Sequence, residues 1–236
     1  MPLVFKLQKA TTTEIAKSCL EFHYAKRIPP VVMAFSVFMQ SKFCGVVIYS
    51  HGASARIGSP FYGLDQRAIL ELVRVALNGK QGKNGTSEIL SISIRLIKRL
   101  MPQIKLLVSF ADPIQDHVGI IYQATNWIYT GREKNPGPRY SLNGESIHAM
   151  SVNAKFGTCS LLKIKTKYPT LDIKYLPRIP KLKYIYPMKD HLKKEFEKLS
   201  QPYIKRVPTD TESGYPPDKD GLNPIHPLHN LLPEEE

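Results

Sequence analysis

The stretch Lys105–Gly131, KLLVSFADPIQDHVGIIYQATNWIYTG, constrains the fold of this chain more than any other. Leu106, Leu107, Val108 and Phe110 leave almost no polar face, and Asp112-Pro113 ends the run abruptly. That is the pattern of a buried strand. From Asp116 the apolar positions Val118, Ile121, Tyr122, Thr125 and Ile128 recur at threes and fours, which predicts a helix running to Gly131. Strand, acidic tip and helix form a site-building unit, because ligands of open α/β sheets collect beyond the strand carboxyl ends. Asp112 is then either a carboxylate facing substrate or a residue that caps its own turn before Pro113.

The formal charge of +13 and pI near 9.6 point to a polyanionic partner, and nucleic acid fits better than a membrane because no amphipathic anchor helix is evident. Cys19, Cys44 and Cys159 are odd in number and lack CxxC spacing, against a disulfide framework or a thiolate zinc site and for a reducing compartment. The longest apolar stretch, Val31 to Met39, is too short to span a bilayer, so a cytoplasmic protein is expected. The sequence leaves the oligomeric state open, a homodimer included.

A first strand is expected over Pro2–Gln8, then a helix opened by the capping box Thr11-Thr12-Thr13-Glu14 and closed before Pro29-Pro30, which places His23 and Tyr24 at or just past its last turn. Val31–Gln40 and Phe43–Ser50 read as a hairpin. Ala68–Asn78 passes as helix or strand, and its β-branched content favours strand. The loop Gly79–Gly85 and a helix opened by Thr86-Ser87-Glu88 make an anion cradle, with Gly82, Lys83, Asn84, Gly85, Thr86 and Ser87 as candidate cofactor contacts, since free backbone amides and the helix dipole point at that loop. Asn143-Gly144 signals a second hairpin, after which the core is expected to close near Gly157.

The composition then predicts three parts: a main domain over 1–159, a basic Lys/Tyr/Pro-rich strap with a short helix over 160–208, and an acidic Pro-rich tail over 209–236. Lysines beside tyrosines on an extended chain suit a phosphate backbone with stacked bases, or else pack the strap on the core.

Helix, hairpin, central strand, phosphate-cradling turn and strand–helix unit occur here in the order of the GNAT acyltransferase fold, which this pattern resembles. That implies an α/β fold with a mixed central sheet flanked by helices. Acetyl-CoA users of that fold carry Arg or Gln, two residues, Gly, one residue, then Gly or Ala in the cradling turn. Gln81-Gly82-Lys83-Asn84-Gly85-Thr86 departs from that spacing. Three segments resemble the Mom family of phage DNA-modification proteins more specifically: Phe22-His23-Tyr24, Ser109-Phe110-Ala111-Asp112-Pro113, and His117 to Trp127. The resemblance implies an enzyme that converts adenine in double-stranded DNA to its carbamoylmethyl derivative on the exocyclic amine. It also implies an iron site at His23, Tyr24, Asp112 and Tyr122, which would be the catalytic residues as well.

An imidazole, carboxylate and phenolate set suits iron better than structural zinc. The adenine amine is a weak nucleophile, so a catalyst must supply a base, Lewis-acid activation or a reactive donor. An activated glycine unit such as an aminoacyl-tRNA matches the transferred skeleton; acetyl-CoA is the other donor considered. His51, Ser54, Glu71, Arg74 and Asn126 are candidate substrate contacts. A His at a helix end can equally serve the helix dipole, and Tyr122 can be core. Two rival functions remain: an acetyl-CoA-dependent acetyltransferase of a protein or small amine, and a non-catalytic nucleic-acid-binding protein with a decayed transferase fold.

Overall fold

The computed structural model describes residues 4–52, 64–134 and 136–205. A seven-stranded sheet carries the molecule, in the order β1-β2-β3-β4-β5-β10-β6. Its strands are β1 (Phe5–Lys9), β2 (Met33–Met39), β3 (Lys42–Ser50), β4 (Ile69–Leu77), β5 (Leu106–Ala111), β6 (Ile128–Arg132) and β10 (Leu182–Pro187). Every neighbouring pair is antiparallel except β4 and β5. The one parallel pair requires a crossover, supplied by α2 (Gly85–Leu100). This is the mixed sheet flanked by helices that the GNAT resemblance implies.

Helix α1 (Thr12–Glu21) starts as its sequence dictates: the Thr11 hydroxyl accepts from Glu14 N–H while the Glu14 carboxylate accepts from Thr11 N–H at 2.8 Å. The β2–β3 hairpin turns on Gln40 and Ser41, both at positive φ, the twist that a two-residue turn needs. Helix α2 lays Ile89, Leu90, Ile94 and Ile97 on one face of the sheet, against Phe35, Val47, Tyr49, Leu72, Leu107 and Trp127. On the opposite face α1 covers β2–β4 through Ile15 and Cys19, and α6 (Asp190–Glu197) covers β5, β10 and β6 through Phe196.

Two expectations are corrected. The helix foreseen from Asp116 to Gly131 is only the single turn α3 (Ile120–Gln123). Asp116, Gly119 and Asn126 take positive φ of 54°, 81° and 60°, and Ile128–Arg132 turns into strand β6. The apolar spacing is real but arises from successive turns that bury Val118, Tyr122 and Trp127. The second correction concerns the strap. The core does not close near Gly157: Leu182–Pro187 enters the main sheet between β5 and β6, with Tyr184 opposite both Ser109 and Tyr129. Leu182, Tyr184 and Ile185 are fully buried, so this segment is a central strand despite its lysine-rich flanks.

Between β6 and β10 the chain forms a second unit: a three-stranded sheet of β8 (Glu145–His148), β7 (Arg139–Leu142) and β9 (Ile173–Leu176), with α4 (Ala149–Phe156) and α5 (Leu161–Lys167). The expected Asn143-Gly144 hairpin joins β7 to β8, with φ of 52° and 85°. Tyr140, Val152, Ile164 and Ile173 form a core separate from that of the main sheet. The tail over 209–236 lies outside the described residues.

Candidate active site

The site begins where β4 and β5 part. They pair only from Ile69↔Leu106 to Glu71↔Val108, although both strands continue. At the same place the register of β4 against β3 slips between Leu72 and Arg74. A bulge bends and twists its strand, so β4 leaves β5 and a wedge opens toward their carboxyl ends. Ser109 closes the root of the wedge: its hydroxyl lies 2.9 Å from Leu72 O and 2.8 Å from the Tyr122 hydroxyl. A hydroxyl has one proton, so Ser109 donates to Leu72 O and accepts from Tyr122.

Several side chains converge above that root. His23 and Tyr24 follow α1, with ring centroids 4.3 Å apart, and the His117 ring stands edge-on to Tyr24 at 6.2 Å. Arg74, on the α1 face of β4, is close enough to act electrostatically on both His23 and Tyr24. Burial, aided by the charges of Arg74, His117 and Lys26, pulls His23 down to about 4. His23 is therefore neutral at physiological pH. Its Nδ1 accepts the Ala25 N–H at 3.0 Å, which leaves the ring proton on Nε2. Burial and the nearby Asp112 carboxylate raise Tyr24, and Arg74 opposes them, so Tyr24 stays a phenol. Burial pushes Tyr122 up to about 12, with Ser109 opposing. Asp112, at the end of β5, accepts the Ile114 N–H on Oδ1 at 3.1 Å, so one oxygen caps the turn before Pro113. Arg74 Nη1 donates to Val73 O, while its Nε is buried without a partner among the described residues.

The glycine-rich turn also lies beyond the carboxyl end of β4. Asn78 braces it, its Oδ1 accepting from Lys80 N–H and from Nε2 of the buried Gln81. Asn84 occupies the N-cap of α2 at φ 64° without a side-chain bond to the helix, and the Ser87 hydroxyl turns back to Asn84 O. Gly82 is at φ 69°. Gly85 packs where a Cβ would lie 2.8 Å from Gln81 Cβ and 3.0 Å from the Phe5 ring. Loop and helix start are thus a fixed backbone surface of the kind that receives anions.

The four residues expected to hold iron share this region, but as arranged they do not fit a coordination sphere. The Tyr122 hydroxyl is buried and spent on Ser109 rather than free as a phenolate. A metal-ligating imidazole donates from its second nitrogen, whereas His23 accepts there. Among the described residues no group of three or more His, Cys, Asp or Glu side chains is gathered as metal ligands.

Other candidates fall elsewhere. His51 sits 3.3 Å from Ile69 O at the amino end of β4, the opposite end of the parallel pair from Asp112. Ser54 lies outside the described residues. Asn126 is exposed at positive φ in the turn before β6, a conformation that asparagine tolerates well. Glu71 is near enough to Tyr122 to raise it. Three contributors were not foreseen as site residues: Ser109, hidden as the one polar residue of an apolar run; His117, separated from Tyr24 in sequence; and Arg139, whose guanidinium feels the Asp112 charge from the second unit.

A model of the Mom protein family matches residues 4–205. The methylcarbamoylase Mom of Escherichia phage Mu is 28% identical over 134 residues, 56% of this chain and 55% of that protein, so the chain spans about half the length of that relative. Among solved structures, an N-acetyltransferase from Staphylococcus aureus aligns over 79% of this chain and 99% of its own, at TM-score 0.45 and 10% identity. An aminoglycoside acetyltransferase in complex with coenzyme A aligns over 83% and 98%, at TM-score 0.48 and 9% identity. Overlaps that loose carry no inference about donor or substrate. The family match, in contrast, covers every element that builds the wedge, and on that ground this chain belongs to the Mom protein family.

Proposed function

We propose that this chain is a transferase that modifies DNA, converting adenine to its carbamoylmethyl derivative on the exocyclic amine. One observation carries the reading: three segments distant in sequence, Phe22–Tyr24, Ser109–Pro113 and His117–Trp127, meet at one wedge in a chain that matches the Mom family throughout them.

Each group has a defined part in this reaction. The target base must leave the duplex stack before its amine reaches a recessed site. As the amine forms its new N–C bond it sheds a proton, and Asp112 Oδ2 accepts it. The Ile114 N–H on Oδ1 fixes the direction of that carboxylate. The donor's leaving group departs with the electron pair of the broken bond. His23 Nε2–H and the Tyr24 hydroxyl are donors that can stabilise such developing charge, and both keep their protons at neutral pH for the reasons given above. Arg74 supplies fixed positive charge at the wall, and the turn Gly82–Ser87 receives the donor's phosphate. An activated glycine unit, such as an aminoacyl-tRNA, supplies the atoms of the transferred group. Attack on its ester carbonyl would expel the tRNA hydroxyl and leave –C(O)–CH2–NH2 on the amine. The isomeric carbamoylmethyl group –CH2–C(O)–NH2 then requires an isomerisation that exchanges the carbons to which the two nitrogens are bonded. The altered spacing of the cradle favours this donor over acetyl-CoA. Modification of this kind protects phage DNA from host restriction, and the host cytoplasm is where it would act. Among the described residues no helix is long and apolar enough to cross a membrane.

The test is mass spectrometry of nucleosides from plasmid DNA of cells expressing the chain. Deoxyadenosine carrying a carbamoylmethyl group is the expected product. An acetylated nucleoside would replace the donor, and unmodified DNA beside soluble, folded protein would overturn the reading.

A further inference from the structure

The unit inserted between β6 and β10 has features that the wedge chemistry does not use. Over residues 139–181 it carries eight Lys or Arg against two acidic residues. Lys155, Lys163, Lys165, Lys167, Lys174 and Arg178 are all exposed. Two of these lysines are held rather than free. Lys155 Nζ stands 5.7 Å over the Phe156 ring at the end of α4, and Lys167 Nζ 5.5 Å over the Tyr168 ring at the end of α5. The two rings are themselves 5.7 Å apart, so the ends of α4 and α5 form one strip of ammonium, ring, ring, ammonium. A lysine resting on an aromatic face has already lost part of its side-chain freedom, which lowers the cost of a phosphate contact. Tyr175, on β9, stacks on the buried Tyr140 at 5.2 Å yet remains half exposed.

The unit is also tied to the site. Arg139, the first residue of β7, donates to Pro177 O at 3.0 Å; burial lowers its pKa, and the Asp112 carboxylate is close enough to oppose that effect. We propose that this inserted unit is the duplex-holding element of the enzyme, its Lys155–Phe156–Tyr168–Lys167 strip and the α5 lysines gripping the DNA phosphate backbone while Arg139 joins that grip to the wedge. The proposal rests on the DNA-modifying reading above and assigns that reading's polyanionic partner a surface. A duplex fits because the cations are many, spread over one small unit and matched by few acids, the footprint of sequence-independent backbone binding. Leu162 and Met150 are exposed on the same unit, so an anionic bilayer is the competitor that the test must separate.

The experiment measures binding of the full-length chain to a short labelled duplex over a range of salt, by fluorescence anisotropy. A triple variant, Lys163→Gln, Lys165→Gln and Lys167→Gln, is set beside a control of equal charge loss on and beside α6: Lys193→Gln, Lys194→Gln and Lys198→Gln. All six side chains are exposed, so both variants should keep the unfolding midpoint of the parent. Loss of three phosphate contacts should make the plot of log K against log salt shallower by about 2 to 3 and weaken binding ~10-fold or more at low salt. The control should change neither by as much. Equal weakening in both triples would overturn the proposal, as would a duplex affinity unchanged in the α5 triple. Vesicles containing phosphatidylserine that bind as tightly as the duplex, through the same lysines, would overturn it in favour of a membrane surface. Binding is read without chemistry. A chain that grips DNA through α5 but leaves it unmodified sinks the transferase reading alone, and one that modifies DNA with an unaffected α5 triple sinks this proposal alone.

Discussion

The wedge of β4 and β5 and the inserted unit of β7–β9 sit in one chain but are built in opposite ways. Around the wedge, buried hydroxyls are held by specific partners: Ser109 with Leu72 O and Tyr122, and Tyr184 with Val118 O at 2.6 Å. Aromatic rings close the remaining space, Tyr122 lying between Trp127 at 5.2 Å and Tyr184 at 5.0 Å. Gly119 is there because a Cβ would run into the Tyr184 ring. The inserted unit has a core of four fully buried residues and an exposed basic rim. Chemistry needs groups fixed to a fraction of an ångström, whereas holding a backbone needs charge spread over a surface. The difference teaches where each task can be housed.

That contrast predicts unequal responses to damage. Trp127→Ala should have the largest effect, a loss of about 3–5 kcal/mol in chemical denaturation, because it empties the buried site that braces Tyr122 and Tyr186. Ile164→Ala should remove about 2–4 kcal/mol from the inserted unit. Hydrogen exchange should then show lost protection over residues 139–176 with β5 and β10 still protected. Protection lost equally in both sheets would break the comparison. Ser109→Ala should cost ~1–2 kcal/mol, since it leaves the buried Tyr122 hydroxyl without its acceptor.

The smallest effect is a pH dependence. His23 is held at about 4 against 6.5 when unfolded, so the unfolded chain binds the extra proton between those values. Its contribution to stability is complete above pH 6.5 and is lost as the pH falls toward 4. His23→Gln should therefore flatten part of the fall in unfolding midpoint across that window. An identical slope in parent and variant would show that the ring is not desolvated at the wedge.

Much of this organisation is legible in the residues, and the part that is not has a common cause. The Thr11–Glu14 capping box, the Asn143-Gly144 turn and the apolar face of α2 are local signals, and each forms where its sequence places it. His23, Tyr24, Glu71, Arg74, Asp112 and Tyr122 stand out in the sequence by residue type and position, and they share one neighbourhood. What escapes is non-local. Leu182–Pro187 has a strand's alternation, but nothing nearby in sequence says that it inserts between β5 and β6. The turns at Asp116, Gly119 and Asn126 imitate helical spacing because each buries an apolar residue every few positions. The roles of His117 and Arg139 depend on which elements the fold brings beside Tyr24 and Asp112, and no spacing rule encodes that.

The most direct measurement is the modified-nucleoside yield of Asp112→Asn, an isosteric change that keeps an oxygen for the Ile114 N–H and removes the base. With an unfolding midpoint like the parent's and unchanged duplex binding, the account predicts that the carbamoylmethyl adduct falls by about 100-fold or more. An undiminished adduct from that variant would contradict it, placing the chemistry somewhere other than the carboxyl end of β5.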